Sequence, residues 1–123
     1  ASRKVSNMKK IICLSTQYHE VFVGKSWQEN EALIKASGPS DVWFHLDNQP
    51  SCHVILKNEF NVPFNRITKS LLKKCSLLVK QNTNKCIEHE KQTIVYTNVD
   101  NIQLTGHGSV QFKNEQCVKY IRL

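Results

Sequence analysis

The chain lacks the features that define several protein classes. No apolar run approaches the roughly 20 residues that a transmembrane helix needs, and no signal peptide is recognisable at its start. There is no Asn-x-Ser/Thr acceptor site, and the five cysteines include no Cys-x-x-Cys pair. Scattered cysteines in an odd number favour free thiols in a reducing compartment over a disulfide framework. We therefore expect a cytoplasmic protein without a membrane span.

Signatures of catalysis and of metal binding are also missing. The sequence contains no nucleophile elbow, phosphate loop, dinucleotide-binding motif or zinc-protease motif. Cys52 and His45 could in principle form a nucleophile and its base, but nothing supplies an orienting group or an oxyanion hole. Cys52-His53 and Cys86-x-x-His89 are metal-ligating types, yet a structural zinc site normally draws on two tight pairs. The expectation is a protein that is not an enzyme and needs no metal or cofactor.

Acidic residues are scarce. Lys and Arg number 17 against 10 Asp and Glu, which gives a formal net charge of +7. An excess of this size on a small domain attracts polyanions such as nucleic acid or an anionic membrane surface. The length of 123 residues and the hydrophobic content of 40% are those of one globular domain. We expect this domain to span residues 8–123, with residues 1–7 as a disordered or non-native tail ahead of Met8, the only methionine.

Apolar periodicity predicts an α+β fold with a mainly antiparallel β-sheet and two helices, in the order ββα-ββα-βββ. Ser26 and Glu29 have the spacing of a capping box, in which Ser26 caps the first helix and Glu29 reaches back to the Ser26 N–H. Trp27 is expected to face the core. The predicted helices cover about 27–36 and about 65–81, and the predicted strands cover 10–16, 19–24, 41–46, 52–58, 92–97, 109–113 and 117–123.

The second predicted helix has a basic outer side. At about 100° per residue, Arg66, Lys69, Lys73 and Lys80 fall in one stripe opposite the apolar residues. A solvated helix face usually mixes charge signs at i,i+4 spacing, but no acid occurs between Glu59 and Glu88. The stripe therefore predicts contact with phosphates, and the pattern allows it to lie near the histidine-bearing strands described next.

The segment 41–56 contains two short extended runs, each with a histidine, around a polar turn. Strand alternation places Asp41, Trp43 and His45 on one face. In a structural interpretation, Trp43 packs under a helix, Asp41 caps a turn and His45 bonds to a backbone carbonyl. In a functional interpretation, the same face stacks bases and hydrogen-bonds to base edges or 2′-hydroxyls. The residues by themselves favour the structural interpretation.

Taken in order, these motifs resemble the NFACT-R domain, the RNA-binding domain of the NFACT family, which occurs in elongation factors of ribosome-associated quality control. The resemblance covers about residues 18–123. It implies a stand-alone, non-enzymatic domain that binds RNA, with tRNA or ribosomal RNA as the expected ligand. The matching residues are Gly24-Lys25-Ser26 with Asn30-Glu31, Asp41-Val42-Trp43-Phe44-His45, Pro50-Ser51-Cys52-His53-Val54, Tyr96-Thr97 and Gly108-Ser109-Val110.

The basic stripe and the resemblance together give a candidate nucleic-acid site. Its members are Lys25, Asn30, Asp41, Trp43, His45, His53, Arg66, Lys69, Lys73 and Lys80. Lys25 stands where the family prefers arginine, so a bidentate contact becomes a point charge. A DNA-binding module, a protein-interaction adaptor with a basic docking surface and, least favoured, a small hydrolase using Cys52 remain alternatives. The ribosome or other NFACT-type proteins are further possible partners.

Overall fold

The centre of the fold is a six-stranded antiparallel sheet, seen in a computed structural model that describes residues 5–84 and 90–123. Its strand order is β1-β2-β4-β3-β5-β8. A separate two-stranded sheet pairs β6 with β7. The elements are β1 Lys9–Leu14, β2 Gln17–Gly24, α1 Trp27–Ala36, β3 Val42–Leu46, β4 His53–Leu56, α2 Lys69–Gln81, β5 Thr93–Asn98, β6 Ile102–Gly106, β7 Ser109–Phe112 and β8 Lys119–Arg122.

The predicted α+β class, with two helices and a mainly antiparallel sheet, is confirmed. One strand was missed: Ile102–Gly106 forms β6, in a stretch for which the sequence predicted no strand. The alternation of Ile102 and Leu104 with polar neighbours was the signal for it, because Ile102 is buried and Leu104 packs beside it. Ahead of β1, Val5–Met8 form a short 3-10 turn whose Met8 side chain is buried.

Helix α1 is capped much as predicted. The Glu29 N–H donates to Ser26 Oγ over 3.2 Å. The Glu29 carboxylate, however, accepts from the Lys25 N–H at 2.9 Å, one residue before the predicted donor. Trp27 is not a core residue, since 45% of it is exposed. Its ring instead lies against His107 of the β6–β7 hairpin, with centroids 4.9 Å apart.

Helix α2 begins later than predicted. Thr68 is its N-cap and accepts from the Leu71 N–H, so the first helical residue is Lys69. The predicted start near Asn65 lies in a separate 3-10 turn, Phe64–Arg66. Ile67, which ends that turn, has extended backbone angles that interrupt the helical path. Arg66 is therefore not part of the helical stripe.

Each helix covers a different face of the large sheet, because alternate strand residues point to opposite sides. Val42, Phe44 and Leu46 belong to a core cluster with Leu72, Cys75 and other buried residues of α2. Trp43 and Ile55 belong to a second cluster with Leu33 and Ile34 of α1. We call these sides the α2 face and the α1 face. Neither helix has the length and hydropathy to cross a bilayer, a finding that concerns the described residues.

Candidate nucleic-acid interface

A cavity of about 470 Å³ opens on the α1 face. It is lined by Trp43, which is only 2% exposed, and by Val110 and Phe112 of β7. We call it the histidine cavity, since it is also lined by His45, His53, Asn30, Val95, the loop residues 46–51 and the hairpin residues 107–109. Residues 46–51 include the turn that the sequence predicted between the two histidine-bearing runs.

His53 is held in one protonation state by Trp43. The indole N–H of Trp43, which can only donate, lies 3.0 Å from His53 Nδ1. Nδ1 is therefore the acceptor, and the proton of the neutral ring sits on Nε2. Burial, with a smaller contribution from nearby His45, lowers the pKa of His53 to about 3. His53 is thus a neutral group with one N–H left to donate.

His45 has the opposite tautomer. Its Nδ1 lies 2.6 Å from the Leu46 carbonyl oxygen, which only accepts, so Nδ1 carries the proton and Nε2 can accept. Burial lowers its pKa, and the bond to Leu46 opposes that shift only in part. The His45 ring is nearly parallel to Trp43, at 9° with centroids 5.4 Å apart, and nearly perpendicular to His53 at 4.8 Å. The two rings offer complementary hydrogen-bonding groups side by side.

Asn30 lies beside these rings as the buried polar residue of α1. It is 7% exposed, lines the histidine cavity, and its Oδ1 is buried without a partner among the described residues. Gly24 makes room for it, since a Cβ added at Gly24 would lie 2.3 Å from Asn30 Oδ1. Gly24 is also the cross-strand partner of His53, and the exposed Lys25 follows it directly.

Asp41 lies outside the cavity and supports a loop. It is 2% exposed and accepts from the Gly38 N–H at 2.9 Å and from the Asn58 N–H at 2.8 Å. Lys57 Nζ is 3.7 Å from the same carboxylate. Together with the burial of Trp43 under α1 and the bond from His45 to a carbonyl, this confirms the three contacts of the structural interpretation. Trp43 and His45 still line a cavity, so the two interpretations are not exclusive.

The exposed cations of α2 lie on the other side of the sheet. Lys69, Lys73 and Lys74 are exposed and have no ion pair with any residue in 5–84 or 90–123. We call their surface the lysine face. The sequence allowed the basic helix to lie near the histidine-bearing strands; it does pack on β3 and β4, but on the face opposite the histidine side chains. Helix α2 packs on Val42 and Phe44, whereas the cavity lies on the Trp43 side.

The remaining predicted cations occupy different positions. Lys80 is half-buried, and its ammonium donates to the carbonyls of Glu90 and Leu123 at 2.9 and 3.2 Å. Lys80 is therefore hydrogen-bonded to the backbone near the end of α2 and does not belong to the lysine face. Arg66 is exposed in the turn before α2.

Two exposed residues outside the predicted site, Tyr120 and Arg122, lie on the same face of the sheet as the cavity. Val95 pairs with His45 on one side and with Tyr120 of β8 on the other. Tyr120 is therefore on the α1 face about 10 Å from His45, two strand spacings away. It is 53% exposed, and Arg122, two residues on, shares its face. The sequence pattern Lys-Tyr-Ile-Arg at 119–122 could have indicated this surface, because strand alternation places Tyr120 and Arg122 on the same face.

Cys52 and the histidines of the alternative chemistries lie on different sides of the sheet. The Cys52 thiol lies 3.5 Å from the Val79 carbonyl of α2, on the opposite side of the sheet from the histidines. No group of three or more metal-ligating side chains occurs within the described ranges. Cys86 and His89 lie outside them.

Comparison with known proteins identifies the family. Residues 8–114 match the family described as "NFACT protein RNA binding domain". The chain belongs to this family. It is 38% identical over 104 residues to the coiled-coil domain-containing protein 25 homolog of Dictyostelium discoideum, covering 82% of this chain and 50% of that protein. It is 32% identical over 111 residues to coiled-coil domain-containing protein 25 of Mus musculus, covering 88% and 53%.

This chain spans about half the length of these relatives. Its fold is similar to the C-terminal part of the fibronectin/fibrinogen-binding protein from Streptococcus suis, with a TM-score of 0.74 and 17% sequence identity. That match covers 94% of this chain and 44% of the other. Membership of the family supports a nucleic-acid-binding domain, and the resemblance stated from the sequence is confirmed.

Proposed function

We propose that this domain binds RNA, either tRNA or ribosomal RNA, as a non-enzymatic module of translation or ribosome-associated quality control in the cytoplasm. The ribosome and other NFACT-type proteins are its proposed partners. The observation that carries the proposal is the lysine face in a domain of the NFACT RNA-binding family.

The charges of the lysine face are arranged for a polyanion. Lys69 and Lys73 are one helical turn apart, about 6 Å along the axis, and both are exposed. Phosphates carry one negative charge per nucleotide, and cations that contact them release condensed counterions. With Lys25 and Arg66, which are also exposed, about four phosphate contacts are available. The logarithm of the affinity is then expected to fall with the logarithm of the salt concentration at a slope of roughly −3 to −4.

A DNA-binding function is the second candidate, because phosphate contacts alone do not distinguish the two nucleic acids. What favours RNA is the family match and the histidine cavity, since neutral donors and acceptors on a partly enclosed surface suit unstacked bases and 2′-hydroxyls. A protein-interaction adaptor would use the same lysine face for an acidic partner.

A competition experiment separates these functions. The domain is bound to a fluorescent tRNA and displaced by an unlabelled RNA stem-loop or by a DNA stem-loop of equal length and sequence. We expect the RNA to compete at lower concentration, with the salt slope given above. Equal competition by DNA would favour the DNA-binding function, and weak binding of both would favour the adaptor.

A further inference from the structure

We propose that the histidine cavity holds a single unstacked nucleobase. This inference rests on the proposed function, since it assigns the ligand of a second surface of the same RNA-binding domain. The lysine face would then hold phosphates while the α1 face holds a base.

The cavity has the size and walls of a site for a planar ligand. Its volume of about 470 Å³ lies within the roughly 300–1,000 Å³ of small-molecule sites. Four rings surround it: His45 is parallel to Trp43, while His53 and Phe112 meet Trp43 edge-on at 79° and 69°. Aromatic walls of this kind favour flat, polarisable groups, and unstacked bases are commonly held against such side chains.

The hydrogen-bonding groups match the edge of a base. His53 Nε2–H is a donor and His45 Nε2 is an acceptor, as their tautomers require. Asn30 adds a side-chain amide to the cavity lining, with its Oδ1 buried on the side of Gly24. A side-chain amide can donate to or accept from the edge of a base.

The charges of the lining residues favour a neutral base over a phosphate as the ligand of the cavity. Burial holds the pKa of both histidines below the ordinary value, so both rings are neutral near pH 7. The lining side chains include no Lys or Arg; besides His45 and His53, the titratable ones are His107 of the hairpin tip and the half-exposed Asp47. A phosphate in this cavity would lose its hydration without gaining a Lys or Arg partner from the lining, which is unfavourable. A neutral base carries no such cost.

The residues that line the cavity come from segments that are far apart in the sequence. Asn30 comes from α1, the histidines from β3 and β4, and Phe112 from β7. The hairpin tip is fixed on α1, because the Gly108 N–H donates to Glu31 Oε2 at 3.0 Å. Gly108 has a positive φ of 78°, and a Cβ there would lie 3.1 Å from Trp27, so the close approach of the tip requires glycine.

An NMR titration with matched hexamers tests the proposal. The probes are RNA homohexamers of adenosine, cytidine and uridine, a guanosine-containing hexamer, and a hexamer of abasic riboses with the same number of phosphates. With at least one base-containing hexamer, we expect the imidazole signals of His45 and His53 and the indole N–H signal of Trp43 to shift. They should stay in place with the abasic hexamer.

Each other outcome is informative. If all hexamers bind but the ring signals never move, or move equally with the abasic hexamer, the base site is wrong and RNA binding stands. If no hexamer and no tRNA binds, the proposed function itself fails. If the rings respond to an acidic or aromatic peptide instead, the cavity is a protein-binding site and the proposal is overturned.

A variant pair gives the affinity. Asn30→Ala should weaken binding of the preferred hexamer by about 2- to 10-fold, the range of one lost hydrogen bond, and leave the abasic hexamer unchanged. It should not unfold the domain, because Asn30 Oδ1 has no bond to lose among the described residues. Asn84→Ala, at an exposed asparagine, is the control. Equal affinities of the two variants for the base-containing hexamer would contradict the assignment.

Discussion

The two faces of the large sheet are built from the same alternating strands, yet they offer different chemistry. On the α2 face, Val42 and Phe44 are sealed under a helix, and only the outer side of that helix carries exposed charge. On the α1 face, Trp43 is equally buried, but the covering helix and the β6–β7 hairpin leave a cavity open beside His45. One side is suited to long-range attraction of phosphates, and the other to short-range contact with a neutral planar group. In the function that we propose, affinity would come from one face and selectivity from the other.

The largest expected effect concerns a residue that belongs to neither surface. Asp41→Ala removes the acceptor of two buried N–H groups, those of Gly38 and Asn58. We expect a loss of about 2–4 kcal/mol in the free energy of unfolding, measured by urea denaturation, with RNA affinity at low temperature unchanged. Glu59→Ala, at an exposed acid, is the control. A folded Asp41→Ala protein of normal stability that has lost RNA binding would move Asp41 into the interface.

The lysine face is expected to give the next effect. Lys69→Gln with Lys73→Gln should make the salt slope shallower by about 1.4–1.8, which corresponds to roughly 25- to 60-fold weaker tRNA binding at 0.1 M salt. The measurement is fluorescence anisotropy at several salt concentrations. Lys9→Gln with Lys10→Gln removes the same charge from the edge strand β1 and should change binding much less. Equal effects of the two pairs would mean that net charge, and not the lysine face, governs binding.

Tyr120 tests how far the α1 face extends. Because Tyr120 is exposed in the same cross-strand row as His45, a base next to the one in the cavity can stack on it. Tyr120→Ala should weaken binding of a single-stranded RNA hexamer by about 5-fold or more. Tyr18→Ala, 75% exposed on the β1–β2 hairpin, is the matched control. If both changes are silent, the interface on this face is confined to the cavity.

A separate expected effect, on stability and not on binding, is a dependence on pH that arises on the α1 face. The folded-state pKa of His53 is about 3 and its ordinary value is 6.5. Between these values the unfolded chain binds more protons, so stability is lost as the pH falls through that window, by at most tenfold in the unfolding constant per pH unit. His53→Asn keeps an acceptor for Trp43 without a titrating ring. Its stability, followed by urea denaturation from pH 7.5 to 4.5, should fall less steeply than that of the natural domain. Identical pH profiles would show that His53 is not buried as a neutral ring.

Local sequence patterns predicted much of the fold and little of the spatial relation between its surfaces. Alternation in segment 41–46 correctly placed Trp43 on the face opposite Phe44, and the apolar side predicted for the second helix is buried, as at Leu72 and Cys75. Periodicity, however, defines the apolar stripe of each helix and does not say which sheet face it covers. The placement of α2 opposite the histidines depends on chain crossovers and was therefore not predictable.

The candidate site shows the same limit. Asn30 entered the predicted site through the family resemblance, but its buried, unpartnered oxygen depends on Gly24 in a neighbouring strand and is visible only in three dimensions. Strand alternation could have identified the face on which Tyr120 lies, but its exposure depends on β8 being the last strand of the sheet. The position of Lys80 likewise depends on Leu123, which lies 43 residues further along the chain.

A single plot tests the division of labour between the two faces most directly. The logarithm of tRNA affinity is measured against the logarithm of salt concentration for the natural domain, the Lys69/Lys73 glutamine pair and Asn30→Ala. We expect the lysine pair to reduce the slope, and Asn30→Ala to lower the affinity by the same factor at every salt concentration with the slope unchanged. A reduced slope in Asn30→Ala, or an unchanged slope in the lysine pair, would contradict the account.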